Sequence, residues 1–194
     1  QNNLRELNAV DFGDLILLLI NLLKSNDAVL AELTRQIQFI LVDEYQDTNV
    51  AQYLWLKLLS QGNNNICCVG DDDQSIYSFR GAEVQNILRF EKDYAGAKIV
   101  TLEENYRSTQ NILNAANQLI ANNKTRYHKE LYTKAKDGNK IKLLVCFDDI
   151  TEATTIISEI KKIKSETGEY QEIAILVRAF FQTRIFEDNF VNQS

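Results

Sequence analysis

Phe39-Ile40-Leu41-Val42-Asp43-Glu44 and Ile66-Cys67-Cys68-Val69-Gly70-Asp71-Asp72-Asp73-Gln74 are the stretches whose reading decides the fold. Each opens on four apolar residues and then turns abruptly acidic. Near-continuous apolar runs of this length read as strands buried on both faces, as in a parallel sheet. Residues 98–102, 141–147 and 172–177 repeat the pattern, so five strands are expected. Helical spacing separates them: residues 12–24 behind Asp11, 51–59 behind Thr48 or Asn49, a one-sided stretch after Ser108, then 150–163 and 180–191. Alternating strands and helices predict an α/β architecture with right-handed crossovers. A division between two α/β units is expected at 101/102.

Composition narrows the function. The 194 residues are 45% hydrophobic and 25% charged, an ordinary globular balance. The longest apolar run, residues 15–20, is six residues long. A membrane span needs about 20, so no membrane partner is expected. Three cysteines, at 67, 68 and 146, make no disulfide framework and suit a reducing, cytoplasmic setting. Net charge is -6, so any nucleic-acid contact must be local. There is no proline, where average usage of ~5% predicts about ten. No methionine is present, and the chain is expected to begin inside a longer reading frame.

The chemistry gathers where apolar runs end. Ligands of open α/β sheets bind outside the carboxyl ends of the strands, which places Asp43 and Glu44 at a crevice. Asp43 suits Mg2+, held directly or through water. Glu44 suits orienting or deprotonating a water that attacks phosphate, or the two acids simply begin a turn. Gly70 lets the backbone turn sharply beside the same crevice. Gln74 can donate and accept, which suits sensing a terminal phosphate and its attacking water. If the segment after it is extended, Tyr77 and Phe79 share one face and Arg80 points the other way. Two aromatics on one face make either a platform for unstacked bases or ordinary core. Arg107 precedes a helix and either reaches a phosphate with its planar fork or pairs with Glu103 or Glu104. Tyr106 suits stacking on a base. The acidic run at 71–73 suits cations or a solvated turn. The basic stretch 122–139, with Arg126 and Lys129, reads as a solvated loop or a phosphate contact.

Three blocks in this order carry a resemblance. Asp43-Glu44-Tyr45-Gln46-Asp47, then Val69-Gly70-Asp71-Asp72-Asp73-Gln74-Ser75-Ile76-Tyr77 with Phe79-Arg80-Gly81-Ala82, then Glu104-Asn105-Tyr106-Arg107-Ser108 resemble motifs of the UvrD/PcrA/Rep group of superfamily-one DNA helicases. Asp11-Phe12-Gly13-Asp14-Leu15 resembles a further element, and the likeness runs on through residues 173–178. The resemblance implies RecA-like parallel sheets flanked by helices: residues 1–101 as the end of a first motor domain, 102–194 as the start of a second. It implies a motor that hydrolyses ATP with Mg2+ and moves 3′ to 5′ on single-stranded DNA, unwinding duplex in repair or replication. In that scheme Asp43 holds Mg2+ (with Glu44 beside it), Glu44 is the catalytic base, and Gln74 couples the γ-phosphate to DNA. Tyr106 stacks on adenine, Arg107 is an arginine finger, and Tyr77, Phe79 and Arg80 touch DNA. The group commonly carries Trp where Phe79 stands, which implies less stacking area. After Arg178 it usually has Ser or Thr then Asn, whereas this chain has Ala179-Phe180, so the polar DNA contact that the resemblance would imply there is not carried over.

A phosphate-cradling loop needs G-x-x-x-x-G-K-[ST]. The glycines lie at 13, 62, 70, 81, 96, 138 and 168, and no two are five apart. The chain therefore reads as an internal piece, expected to be inactive alone. Two other readings are a non-catalytic DNA-binding or regulatory piece and the motor portion of a helicase–nuclease. His128 is the single histidine and no C-x-x-C occurs, which excludes a multi-histidine or paired-cysteine zinc site.

Overall fold

Local signals start four of the described helices. In the computed structural model, which describes residues 2–192, a short helix α1 (Asn2–Glu6) precedes α2 (Phe12–Ser25). The Asp14 backbone N–H donates to the Asp11 carboxylate at 2.8 Å, and the Asp11 N–H donates back to Asp14 at 3.3 Å. This reciprocal box satisfies two of the amide donors that a helix start leaves free. Asn49 and Gln52 build the same box, at 2.9 Å each way, at the head of α4 (Val50–Ser60). Between them lies α3 (Asp27–Gln36), capped by Asn26. Sequence reading passed over this helix, although the Asn26 cap and the Glu32–Arg35 pair at 2.8 Å are its local signature.

Two parallel strands, β1 (Ile40–Val42) and β2 (Ile66–Cys68), pair Ile40 with Ile66, Leu41 with Cys67 and Val42 with Cys68. Backbone pairing continues past them: Val69 N–H donates to Val42 C=O at 2.7 Å, and Tyr45 N–H to Val69 C=O at 3.0 Å. The two segments that carry Asp43-Glu44 and Gly70-Asp71 thus leave the sheet side by side. Behind them, Ile20 and Leu23 of α2 pack on Leu58 and Leu59 of α4. A second cluster sets Tyr45 edge-on to Phe90 at 5.7 Å, with Phe90 against Tyr94 at 4.8 Å.

Five more helices follow: α5 (Gln85–Leu88), α6 (Phe90–Asp93), α7 (Gln110–Ile120), α8 (Asp149–Thr167) and α9 (Thr183–Asn192). The cap of α7 is Thr109, one residue beyond the Ser108 start. α8 runs past its expected end at 163 because Gly168, at φ +87°, supplies the left-handed stop. Contacts divide the chain into two compact units, one ending at Asn139 and one beginning at Lys140. In the second, Ala153, Ile157 and Ile160 of α8 and Phe186 of α9 are buried.

Three expected strands do not form. Residues 98–102, 141–147 and 172–177 have no laddered partner among the described residues. Many of their apolar side chains, expected to be buried on both faces, are open to solvent: Leu102 is 79%, Phe147 97% and Leu176 94% exposed. Apolar composition marks a segment that can join a sheet, but a strand exists only where a neighbour supplies donors and acceptors. The fold is therefore helix-rich with one small parallel sheet.

The α2–α4 contact gives a direct stability test. Leu23→Ala should destabilise the chain by about 2–5 kcal/mol in urea unfolding, whereas Leu17→Ala, on the exposed side of the same helix, should change it by about 0.5 kcal/mol or less.

Candidate functional site

Glu44 occupies a left-handed backbone conformation, φ +50° and ψ +44°, at the head of the 3₁₀ turn Tyr45–Asp47. A non-glycine residue there carries about 1–2 kcal/mol of strain and persists only where its surroundings fix it. Here the fixing group is Gln46, which is 1% exposed. Its Nε2 donates to Glu44 Oε2 at 2.7 Å, and its Oε1 accepts from the Asp71 backbone N–H at 2.9 Å. Asp71 in turn accepts from Gln74 Nε2 at 2.8 Å. A hydrogen-bonded chain thus runs Glu44–Gln46–Asp71–Gln74. Gly70 makes it possible, because a Cβ at that position would lie 2.6 Å from Gln46 Oε1 and 3.1 Å from the Tyr45 backbone nitrogen. Asp43 is exposed beside this chain, with one carboxylate oxygen accepting the Glu44 N–H at 2.9 Å.

The aspartate run at 71–73 meets protein cations. Lys129 Nζ lies 2.8 Å from Asp71, 2.7 Å from Asp72 and 3.1 Å from Asp73. Arg126 grips Asp73 through Nε at 2.7 Å and Nη2 at 2.6 Å, and the Tyr127 N–H donates to Asp72 at 2.9 Å. The 122–139 stretch is a loop, as expected, but these two of its cations are half-buried rather than solvated. Burial pulls the Asp73 carboxyl upward, but the hydrogen bonds from Arg126 and Lys129 outweigh it and hold the group below the usual carboxylate range. Burial disfavours the Lys129 charge, yet the three aspartates push its pKa up to about 12.

The segment after Gln74 departs from the expected extended form. Ser78–Arg80 is a 3₁₀ turn. Tyr77 and Phe79 still come together, with ring centroids 6.0 Å apart. Arg80 does not point away: its guanidinium lies 5.4 Å from the centroid of each ring. The turn brings charge and rings onto one patch, with Phe79 75% exposed, so these aromatics are not core. The Glu83 N–H donates to Thr48 C=O at 3.0 Å, and buried Asn86 donates to the same carbonyl at 3.1 Å, tying this patch to the turn that carries Glu44.

Tyr106 and Arg107 sit on a separate turn in which Asn105 Oδ1 accepts from Arg107 N–H at 2.9 Å and Ser108 N–H at 2.8 Å. Neither acid considered as a partner for Arg107 holds it. Glu104 pairs with Lys134 at 2.9 Å, and Glu103 accepts from the Glu130 N–H at 3.0 Å. Arg107 is exposed and has no ion pair among the described residues. Tyr106 is 85% exposed, and the Glu104 charge beside it pushes its hydroxyl pKa up. The structure therefore joins Glu44 and Gln74 through one bonded chain, sets Asp43 beside it, and leaves Arg107 outside direct contact with them.

Known proteins match along the whole chain. Residues 1–95 match the family model of the UvrD/REP helicase N-terminal domain, and residues 100–194 that of the UvrD-like helicase C-terminal domain. The chain belongs to the UvrD helicase family. It is 54% identical over 195 residues to the DNA helicase II of Rickettsia typhi, and 47% identical over 194 residues to the ATP-dependent DNA helicase PcrA of Staphylococcus aureus. Both matches cover all of this chain, which spans 30% and 27% of the length of those proteins. The UvrD-family models meet between residues 95 and 100, whereas the compact units part after Asn139. The Lys129–Asp71–Asp73 cluster accordingly joins residues matched by the two different UvrD-family models.

Sequence reading missed Gln46, Arg126 and Lys129 as organising groups. The signal for the cations was charge complementarity, since three consecutive aspartates call for cations and residues 122–139 hold several. Gln46 had a weaker signal, a polar amide two residues past the strand-end acids.

The ion-pair cluster predicts a pH signature. Asp73 is ionised in both folded and unfolded chains above about pH 5, so its pairing stabilises the fold there and is lost as pH falls through its depressed folded pKa. Lys129 contributes fully below about pH 10 and loses its share as pH rises through about 12. Asp73→Asn should therefore lower the urea midpoint at pH 7, and the difference from the unsubstituted chain should shrink as pH falls below the ordinary carboxylate range.

Proposed function

We propose that the chain is the ATP-reading and DNA-reading centre of an ATP-dependent 3′–5′ DNA helicase, acting in the cytoplasm on single-stranded and duplex DNA. The observation that carries this reading is the bonded chain from Glu44 through Gln46 and Asp71 to Gln74, because it couples a carboxylate suited to base catalysis to an amide suited to phosphate sensing. Membership of the UvrD family, and the likeness to the ATP-dependent DNA helicase PcrA, support the same reading. Residues 1–101 are proposed to belong to a first RecA-like motor domain and residues 102–194 to a second. The short parallel pair β1–β2 would then be part of a wider sheet.

The residues fit Mg2+ and ATP in donor chemistry. Asp43 presents an exposed hard-oxygen ligand at the strand end, and Glu44 lies next to it. Bound there, Mg2+ would neutralise charge on the phosphate oxygens. The aspartates at 71–73 do not fit a metal, because Lys129 and Arg126 already occupy their oxygens. Glu44 is proposed to take the proton of the attacking water. Its carboxylate is oriented for that task by the Gln46 amide, which holds one oxygen and leaves the other to act. Gln74 would report the state of the terminal phosphate along the same chain of bonds. Arg107, exposed and without an ion pair among the described residues, keeps its fork for phosphate oxygens. Tyr106 offers an open ring face for adenine.

DNA is proposed to lie on the Tyr77–Phe79–Arg80 patch, where a base would stack on an aromatic face and the guanidinium would meet phosphate. Each stacked base is worth about 1–3 kcal/mol by alanine substitution. By itself, without the G-x-x-x-x-G-K-[ST] loop, the 194-residue chain is proposed to lack turnover.

The test is Glu44→Gln in the full-length protein. Turnover of ATP on single-stranded DNA should fall by about 10²–10⁴-fold while nucleotide binding persists. Unchanged turnover would reject Glu44 as the base.

A further inference from the structure

The ligand-bearing oxygens of Asp71, Asp72 and Asp73 converge within 4.8 Å of one another. Three carboxylates so close repel unless a cation sits among them. Lys129 supplies it from a loop more than fifty residues away, at 2.7–3.1 Å from all three. An ammonium has three N–H donors and no acceptor, so three carboxylates saturate it. Arg126 closes the ring on Asp73 and also donates to the Lys129 carbonyl at 3.0 Å, which fixes the loop that delivers the ammonium.

The consequence reaches Gln74. Asp71 does three things at once: its Oδ1 accepts the Asp73 N–H at 3.0 Å, its Oδ2 accepts Gln74 Nε2 at 2.8 Å, and its carboxylate faces Lys129. Without the ammonium, the repelling carboxylates would turn apart and the hydrogen bond that orients the Gln74 amide would go with them. Lys129 lies in the part matched by the UvrD C-terminal family model and Gln74 in the part matched by the N-terminal one.

We propose that Lys129 is a positioning residue that holds the 71–74 turn, and through it the Gln74 side chain, from a loop in the part of the chain matched by the C-terminal family model. This rests on the reading of Gln74 as the group that senses the nucleotide's terminal phosphate. Lys129 touches neither nucleotide nor DNA in this scheme. It sets how fast bound ATP is turned over rather than how well ATP is bound.

The experiment uses the full-length protein and ATP turnover stimulated by single-stranded DNA, for wild type, Gln74→Ala, Lys129→Met, Lys129→Arg and both double variants. Lys129→Met should lower kcat by about tenfold or more with KM for ATP within about twofold. Lys129→Arg keeps the charge but not the three-point geometry, and should give a smaller loss of about two- to fivefold. In the Gln74→Ala background both Lys129 substitutions should cost nothing further, because the route through Gln74 is already gone. If Lys129→Met does not fold, the Lys129→Arg pair carries the same comparison. Losses that multiply in the double variants, a change in KM alone, or wild-type kcat in both Lys129 variants would overturn the proposal while leaving the role of Gln74 intact. Absence of DNA-stimulated turnover in wild type, or full turnover in Gln74→Ala, would instead overturn the reading of Gln74 and this proposal with it.

Discussion

One buried carboxamide holds the candidate site together. Gln46 sits beneath the point where two parallel segments leave the sheet, and it has a donor end and an acceptor end. The donor end meets the Glu44 carboxylate, and the acceptor end meets the Asp71 backbone N–H. A buried polar group left unpaired costs about 1–3 kcal/mol, so neither loop can move off Gln46 freely. That constraint explains why Glu44 tolerates a left-handed backbone and why no side chain larger than that of Gly70 fits beside it.

From this centre the polar connections spread outward in two directions. One goes through Asp71 to Gln74 and then, by the aspartate run, to Lys129 and Arg126. The other goes through Thr48 to Asn86 and Glu83, and so to the aromatic patch around Tyr77 and Phe79. The Gln74 amide and the exposed aromatic patch are therefore both anchored to the turn that carries Glu44. Coupling between such groups needs a connected physical network, and these hydrogen bonds and ion pairs, centred on buried Gln46 and Asn86, form one.

The sequence made the starts of α2 and α4 and the two central strands legible because their causes are local. Asp11 and Asn49 cap within one turn of themselves, and the apolar runs before Asp43 and Gly70 find each other as parallel neighbours. What it could not show were causes lying far along the chain. The runs at 98–102, 141–147 and 172–177 look like strands by composition, but strand formation depends on a partner that their own residues do not encode. The 3₁₀ turn at Ser78–Arg80 rotated Arg80 onto the rings, where an extended reading had sent it away. Lys129 looked like one more solvated charge, since a loop gives no periodicity from which to infer its target. The candidate acids and Gln74 were visible as types and spacing. The amide and the ammonium that orient them were not.

Amide hydrogen exchange at Asp71 tests the role of Gln46 most directly, because that N–H has the Gln46 carbonyl oxygen as its partner. In the unsubstituted chain it should exchange slowly, and Gln46→Leu should speed it by about tenfold or more while amides in the middle of α2 keep their protection. An Asp71 amide that exchanges at the rate of an open loop, or that is indifferent to Gln46→Leu, would contradict the claim that this carboxamide binds the two loops into one site.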